Sequence, residues 1–487
     1  MGGPERLVLG PFNRVEGDLE LSLDIVDGRV ETARVNSPLY RGFEQIMEGK
    51  HPLDALVLVP RICGICSVSQ SAAAAAALAD LGALSVPPNG QRAASLVLAA
   101  ENLADHFTHF YLFFMPDFAR DTYAGRPWFE DVRSRFKAIE GTATEDALPA
   151  RAAFLNLTGQ LAGKWPHTLA LQPGGVTRAI SAHEKVRLLA IVRAFRIWLE
   201  RHLFGDSLEA IAALDSQEAL WRWFDTRPAN NCDFARFLAV ARDLSLHSIG
   251  RATDRFLSHG AYAIAGEHLF RSGVRRGGDA DVRPFDHRQV SEDGSRAWMM
   301  HDGPFHPLVG QTLPEVEKPD AYSWCKAPRL DGKVMECGAL ARQFVDGHPL
   351  VEDLVATDGG NVLSRVTARL LEFARVLPAM ERWIRDIRPG EAFCEEPTLP
   401  DEGVGVGLVE AARGALGHWV VLRKGRIANY QIIAPTTWNF SPRDGLGRPG
   451  ALEQALVGLP VGPGGAVPLA VQHVVRSFDP CMVCTVH

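Results

Sequence analysis

The chain has 487 residues, 46% of them hydrophobic and 22% charged, with a formal net charge of -7 and a pI near 6.2. That balance suits a large globular protein with its own core and excludes the basic surface of a nucleic-acid binder. No apolar run approaches the roughly 20 residues that span a bilayer, so no membrane span is expected. The opening MGGPERLVLGPFNRVEGDLEL lacks an export-signal pattern, and a cytoplasmic location is the expectation.

In chain order, the first 50 residues alternate like β-structure: Leu19 to Val26, a turn at Asp27-Gly28, then Val30 to Val35. The segment SAAAAAALADLG consists of strong helix formers and stops at a glycine. Gln91 to Met115 and Val176 to Phe204 read as long helices, the first apolar enough for a core, the second charged at helical spacing. Residues 271–300, rich in Gly, Arg and Asp, read as an exposed loop or short meander. Another helix is expected from Asn361 to Asp386, ending before Pro389, followed by glycine, proline and short β-like runs such as Trp419 to Leu422. No solenoid-like period repeats. The expected fold class is α+β, predominantly α, in one domain over 1–487. It comprises a β-rich segment over about 1–50, a helical body over 51–400 with a loop or meander near 271–330, and a β and loop segment over 401–487.

Two cysteine pairs carry the chemistry: Cys63 and Cys66 in RICGIC, and Cys481 and Cys484 in DPCMVCTVH. Cys-x-x-Cys spacing lets both sulfurs of a pair reach one centre, and thiolates select soft or borderline ions such as zinc, iron, copper(I) and nickel. A structural four-cysteine zinc site is the plainest alternative, giving a zinc-stabilised binding protein. Zinc knuckles usually close short loops, whereas these pairs enclose almost the whole chain. The second pair lies beside a terminus that would fray unless tied down, and a metal is a suitable tie. A redox dithiol needs one pair in a thioredoxin-like setting, which is missing. Eight cysteines in 487 residues are too sparse for a disulfide framework.

At these cysteines the chain resembles the large subunits of nickel-iron hydrogenases. The further blocks RVEG (Arg14 to Gly17), YRGFE (Tyr40 to Glu44), PGG (Pro173 to Gly175), SWCKAPR (Ser323 to Arg329), ECGALAR (Glu336 to Arg342), RGALGHW (Arg413 to Trp419) and PTTWN (Pro435 to Asn439) follow in the family's order. The resemblance implies that Cys63 and Cys481 are terminal ligands of nickel, and that Cys66 and Cys484 bridge it to an iron carrying cyanide and carbon monoxide. It implies heterolytic cleavage of dihydrogen, with Cys481 taking the proton first and Glu16 relaying it. A carboxylic acid suits that role once burial brings its pKa toward neutrality. Asp105, Asp479 and Arg413 match a polar canopy over the open position, with Arg413, Pro435 and Thr436 contacting the cyanides. Glu44, His487 and the backbone carbonyl of Phe440 match a magnesium or other divalent site near the C-terminus.

Three positions depart from the usual pattern. Gln70 stands where most relatives have histidine; it cannot titrate near neutral pH but can hydrogen-bond toward Cys66. Ile65 and Phe113 are bulkier than the residues many relatives carry along the gas path. These features, with a chain that stops at His487 where many relatives carry a removable tail, are similar to the dihydrogen-sensing subgroup that signals through a histidine kinase. A cytoplasmic sensor of slow turnover is therefore the expectation, with a respiratory uptake enzyme as the alternative. The remaining Cys232, Cys325, Cys337 and Cys394 show no iron-sulfur spacing. Iron-sulfur clusters are thus expected only in a small-subunit partner, and maturation proteins are expected to insert nickel and iron.

Overall fold

The computed structural model describes residues 5–461 and 468–487, so residues 1–4 of the expected N-terminal β segment and 462–467 of the C-terminal segment lie outside the described residues. The first alternating run forms the strand Glu20–Val26, the centre of an antiparallel meander between Glu5–Leu9 and Arg29–Asn36. Leu19, Leu21 and Leu23 are fully buried, as a period of two requires of one sheet face. Asp27 and Gly28 both take positive φ, 50° and 71°, the geometry of a two-residue hairpin turn.

The alanine-rich segment lies in the helix Ser67–Leu81. Alanine leaves a flat helix face, and the strand Gly403–Ala411 lies directly on it. A Cβ at Gly405 or Gly407 would come within 2.1 or 2.0 Å of the carbonyls of Ala77 and Ala73, so only glycine permits the contact.

The helix expected from Gln91 begins at Pro88, a residue suited to a first helical turn, and runs to Thr108. One π-helical turn, His109–Phe114, follows. The helix expected from Val176 starts instead at Ala182, because Ser181 and Glu184 form a capping box there. Val176 belongs to a short strand, Gly175–Val176, paired with Leu171–Gln172. The helix Val362–Asp386 agrees with expectation, with Asn361 capping it through the Ser364 amide. These helices and Ala143–Ala162 enclose the main core.

The stretch 271–300, expected as an exposed loop or short meander, contains short paired strands. Gly273–Arg276 pairs with Arg255–Ser258, and Val290–Asp293 is the middle strand between Pro304–Phe305 and Ala327–Leu330. Val274, Val290 and Glu292 are buried. The polar composition misled because Arg275 donates to the carbonyls of Asp279, Ala280 and Phe344 rather than facing solvent.

The C-terminal part is an antiparallel sheet of Gly403–Ala411, Gly414–Arg423 and Arg426–Ile433. Ala411 pairs with Gly414, so Ala412 and Arg413 form a two-residue hairpin tip, and that tip points into the functional site. After the helix Leu469–Ser477 the tail runs inward, and its residues from Phe478 to His487 are buried except Val483. Long helices with sheets toward both ends make this an α+β fold.

Candidate metal centre

Cys63 follows the 3-10 turn Val59–Ile62, and Cys66 is the residue from which the helix Ser67–Leu81 starts. Cys481 and Cys484 flank and enter the short helix Met482–Thr485. All four are buried and free, and their sulfurs lie within 4.8 Å of one another. The nearest neighbours cross the two motifs: Cys63 Sγ is 3.5 Å from Cys481 Sγ, and Cys66 Sγ is 3.0 Å from Cys484 Sγ. Cys481 and Cys484 Sγ are 2.9 Å apart. Among the described residues no other group of three or more His, Cys, Asp or Glu side chains converges in this way.

The quartet is not electrically uniform. Cys63 is drawn well below the ordinary thiol range because Cys481, Cys484 and Cys66 all hydrogen-bond to it. Cys66 is held well above it, chiefly through its contact with Cys481. Burial pushes Cys481 and Cys484 up. Four thiolates in so small a space demand a compensating cation, and a bound metal supplies that charge.

Both cysteine loops are anchored by residues outside the motifs. Arg41 donates to the carbonyls of Ile62 and Val483, one beside each cysteine pair. Glu101 accepts from the amides of Val68 and Ser69, both at 2.8 Å, and from the Trp165 indole at 3.0 Å, holding the start of the helix that carries Cys66. Thr436 Oγ1 accepts from the Cys481 amide, and Thr437 donates to the Thr485 carbonyl. The N-terminal segment closes over the tail: the Met482 amide donates to the Glu16 carbonyl at 2.7 Å and the Glu16 amide to that of Pro480. Gly17, at φ 77°, is needed there, since a Cβ would lie 2.9 Å from the Val483 side chain. Glu16 is half-buried, and burial, reinforced by the Cys63 thiolate, pushes its carboxyl upward.

Arg413 lies over the quartet. Its Nε donates to the Asp479 carbonyl at 2.8 Å and Nη2 to Asp479 Oδ1 at 3.0 Å, while Nη1 is 2.7 Å from Asp105 Oδ2. The Asp105 contact is close as a charge pair but poorly aligned as a hydrogen bond. Nη1, both Asp105 oxygens and Asp479 Oδ2 therefore have no hydrogen-bond partner although buried. Burial pushes Asp105 up to about 8 despite Arg413, whereas Arg413 overcomes burial at Asp479 and holds it below the usual range. Arg342 supports this hairpin tip from behind, donating to the carbonyls of Ala411 and Ala412 and to Glu372 and Glu410. A small cavity of about 10 Å³ lies between roof and sulfurs, lined by Cys66, Gln70, Arg413, Pro435, Thr436 and Cys481 among others. The four cysteines and the predicted roof residues Asp105, Arg413 and Asp479 thus meet in one place. A set of soft sulfurs, a small enclosed space and unpaired donors beside it fits a nickel-iron group with small ligands.

The C-terminal pair also meets. His487 Nε2 is 3.2 Å from Glu44 Oε1, and both are buried. Sequence reasoning missed their neighbours Lys326 and Glu292, although Lys326 lies in the block SWCKAPR. Lys326 Nζ is 2.7 Å from Glu292 Oε2 and 3.7 Å from Glu44 Oε2. Burial would raise Glu44, yet Lys326 and His487 bring it down to about 2. Glu292 Oε1 has no partner. The Ile432 amide donates to Glu44 at 2.7 Å, and Phe440 packs its ring against Phe478 while its amide donates to the Thr436 carbonyl.

Ile65 is half-buried against the cysteine cluster, its amide 3.3 Å from Cys63 Sγ. Phe113, on the π-helical turn, is also half-buried but belongs to none of the buried clusters, and neither residue lines the cavity.

Fold and site together define a thiolate-ligated metalloprotein whose metal pocket is sealed by its own C-terminal tail. A family model described as nickel-dependent hydrogenase matches residues 41–124 and 145–487, and the chain belongs to this family as a large subunit. It is 29% identical over 521 residues to the periplasmic NiFeSe hydrogenase large subunit of Desulfomicrobium baculatum, covering 100% of this chain and 95% of that one. It is 26% identical to the hydrogenase-2 large chain of Escherichia coli K12 (99% and 97% covered) and 27% to the uptake hydrogenase large subunit of Rhizobium leguminosarum bv. viciae (99% and 95%). The reduced Ni-Fe-Se hydrogenase of D. vulgaris Hildenborough superposes with a TM-score of 0.83 at 29% identity, covering 100% of both chains. The protein is thus an oxidoreductase acting on dihydrogen. No described helix is long and apolar enough to cross a membrane.

Proposed function

We propose that this chain binds a nickel-iron centre with cyanide and carbon monoxide on iron and oxidises dihydrogen in an uptake enzyme, passing electrons to an iron-sulfur small subunit. The observation that carries this reading is the convergence of four buried cysteines beneath Arg413, Asp105 and Asp479. In it, Cys63 and Cys481 would hold nickel and Cys66 and Cys484 would be shared with iron, a division that follows the two cross-motif sulfur pairs. When bound, the metal group polarises the H–H bond and retains the electron pair.

The chain's own residues manage the proton. Cys481 Sγ is the first acceptor and Glu16, whose backbone bridges to that of Cys481 and whose carboxyl is pushed up by burial and the Cys63 thiolate, carries the proton outward. Arg413, whose Nη1 has no hydrogen-bond partner, and the Thr436 hydroxyl would donate to the cyanides of such a group. Electrons must leave through a partner, because Cys232, Cys325 and Cys337 are buried apart from the quartet and no second thiolate cluster occurs among the described residues. Glu44 and His487 offer an oxygen and a nitrogen to a magnesium or similar ion, with water completing the shell.

The uptake reading is preferred to the expected sensor because the relatives named above include uptake and periplasmic enzymes. The sensor reading keeps one observation, the neutral Gln70 in the cavity wall. Glu16→Gln is the test. It should lower hydrogen-deuterium exchange by about 10²–10⁴-fold, the range for a lost general acid-base, with nickel content and the infrared carbonyl and cyanide bands unchanged. Exchange within threefold of the unsubstituted protein would remove Glu16 from the relay, and absence of those bands from loaded protein would sink the bimetallic centre.

A further inference from the structure

Three buried polar side chains lead away from the cavity and have no part in the chemistry above. Gln70 lines the cavity beside Cys66. His418 Nε2 is 2.8 Å from Gln70 Oε1, and His418 Nδ1 is 2.9 Å from the Tyr430 hydroxyl. Gln70 comes from the first turns of the cysteine-bearing helix, and His418 and Tyr430 from neighbouring strands of the C-terminal sheet. None is more than 1% exposed, so water does not decide how their hydrogen bonds run.

The direction of each bond follows from the far end. Among the described residues the Tyr430 hydroxyl has no partner but His418, and a buried hydroxyl proton without an acceptor costs about 1–3 kcal/mol. Tyr430 therefore donates to Nδ1. Burial pushes His418 down to about 3, so the ring is neutral and carries one proton, which sits on Nε2. Nε2–H then donates to Gln70 Oε1. Among the described residues the Gln70 amide nitrogen has no hydrogen-bond partner, and with the oxygen engaged its N–H groups are left for the cavity. The opposite tautomer would reverse every bond and present the Gln70 oxygen instead, which repels anionic groups.

We propose that His418 and Tyr430 are positioning residues that lock the Gln70 amide with its N–H groups toward the cavity, as donors to a negatively charged ligand group held there. The inference rests on the hydrogenase reading for the identity of that group, while the locked polarity follows from the chain alone. A neutral, fixed donor next to the Cys66 position withdraws electron density from the centre at all pH values near neutrality.

Neutron diffraction on deuterium-exchanged crystals of the metal-loaded heterodimer tests the polarity directly. Deuterium is expected on His418 Nε2 and on the Tyr430 oxygen pointing at Nδ1; deuterium on Nδ1 overturns the proposal. In solution, Gln70→Met removes the donor, and the iron carbonyl band should move to lower wavenumber as back-donation rises, with nickel content unchanged. An unmoved band overturns the donor role. Tyr430→Phe frees the His418 tautomer and should split or broaden the same band, and a band identical to the unsubstituted protein's overturns the role of Tyr430. Where Tyr430→Phe does not fold, the neutron positions and Gln70→Met decide. Absence of carbonyl and cyanide bands from the unsubstituted holoprotein would count against the function proposed above and leave the neutron positions to judge the lock.

Discussion

Replacing Arg413 with lysine keeps the positive charge and removes the fork. The guanidinium makes two charge-assisted hydrogen bonds to Asp479 and one charge contact to Asp105. An ammonium on a shorter reach satisfies one of the three. Losing one charge-assisted bond costs about 1.5–3 kcal/mol, and leaving the buried Asp105 contact unreplaced about 1 kcal/mol more. A destabilisation of about 3 kcal/mol follows, partly softened by the adjoining cavity. The assay is the half-life of the nickel-loaded protein at elevated temperature, because a large multisubunit enzyme unfolds irreversibly and its stability is read as a rate. At tenfold per 1.4 kcal/mol, inactivation of Arg413→Lys should be roughly 100-fold faster if the contacts are lost before the barrier. A half-life within threefold of the unsubstituted protein would refute the view that the fork, rather than the charge, holds the hairpin tip to the tail.

Three other outcomes are expected. Arg342 and His106 overcome burial to bring Glu372 down to about 2 from an ordinary value of 4.5. The resulting stability, about 3 kcal/mol at 1.36 kcal/mol per pH unit, is fully present above pH 4.5 and is lost as pH falls toward 2. Unfolding rates should therefore climb less steeply over that window in Glu372→Gln than in the unsubstituted protein, with Glu44 and Asp479 still titrating in both; parallel profiles would contradict it. Deleting His487 should lower the content of the divalent ion proposed to bind Glu44 and His487, seen by elemental analysis, whereas full retention would count against that site. Ile65→Val should increase inactivation by dioxygen because Ile65 packs against the cysteine cluster, while Phe113→Val should not, since Phe113 lies outside every buried cluster. Equal effects of the two would restore Phe113 to the gas path.

Much of the site is legible in the sequence because its residues sit in short, chemically distinctive runs. Cysteine spacing in RICGIC and DPCMVCTVH announces two ligand pairs, and Arg413, Asp479 and Glu16 stand in recognisable blocks. Asn361 before an apolar-periodic run marks the start of the helix Val362–Asp386 to the residue. The failures have physical causes. Ser181 with Glu184 stops the helix that periodicity extends back to Val176. Buried Arg275 bonded to carbonyls disguises strands as loop.

The sequence alone determines that four thiolates are available in two pairs, that a long-helix body separates them, and that the family's chemistry belongs to this chain. Local patterns carry that information because helix formation and ligand spacing act over a few residues. Only the tertiary structure decides that Cys63 meets Cys481 and Cys66 meets Cys484 across 418 positions. It alone brings Arg41 to both loops, Arg342 behind the hairpin tip, Lys326 between Glu44 and Glu292, and His418 onto Gln70. Such contacts depend on how sheets and helices pack, and packing is set by the whole core at once.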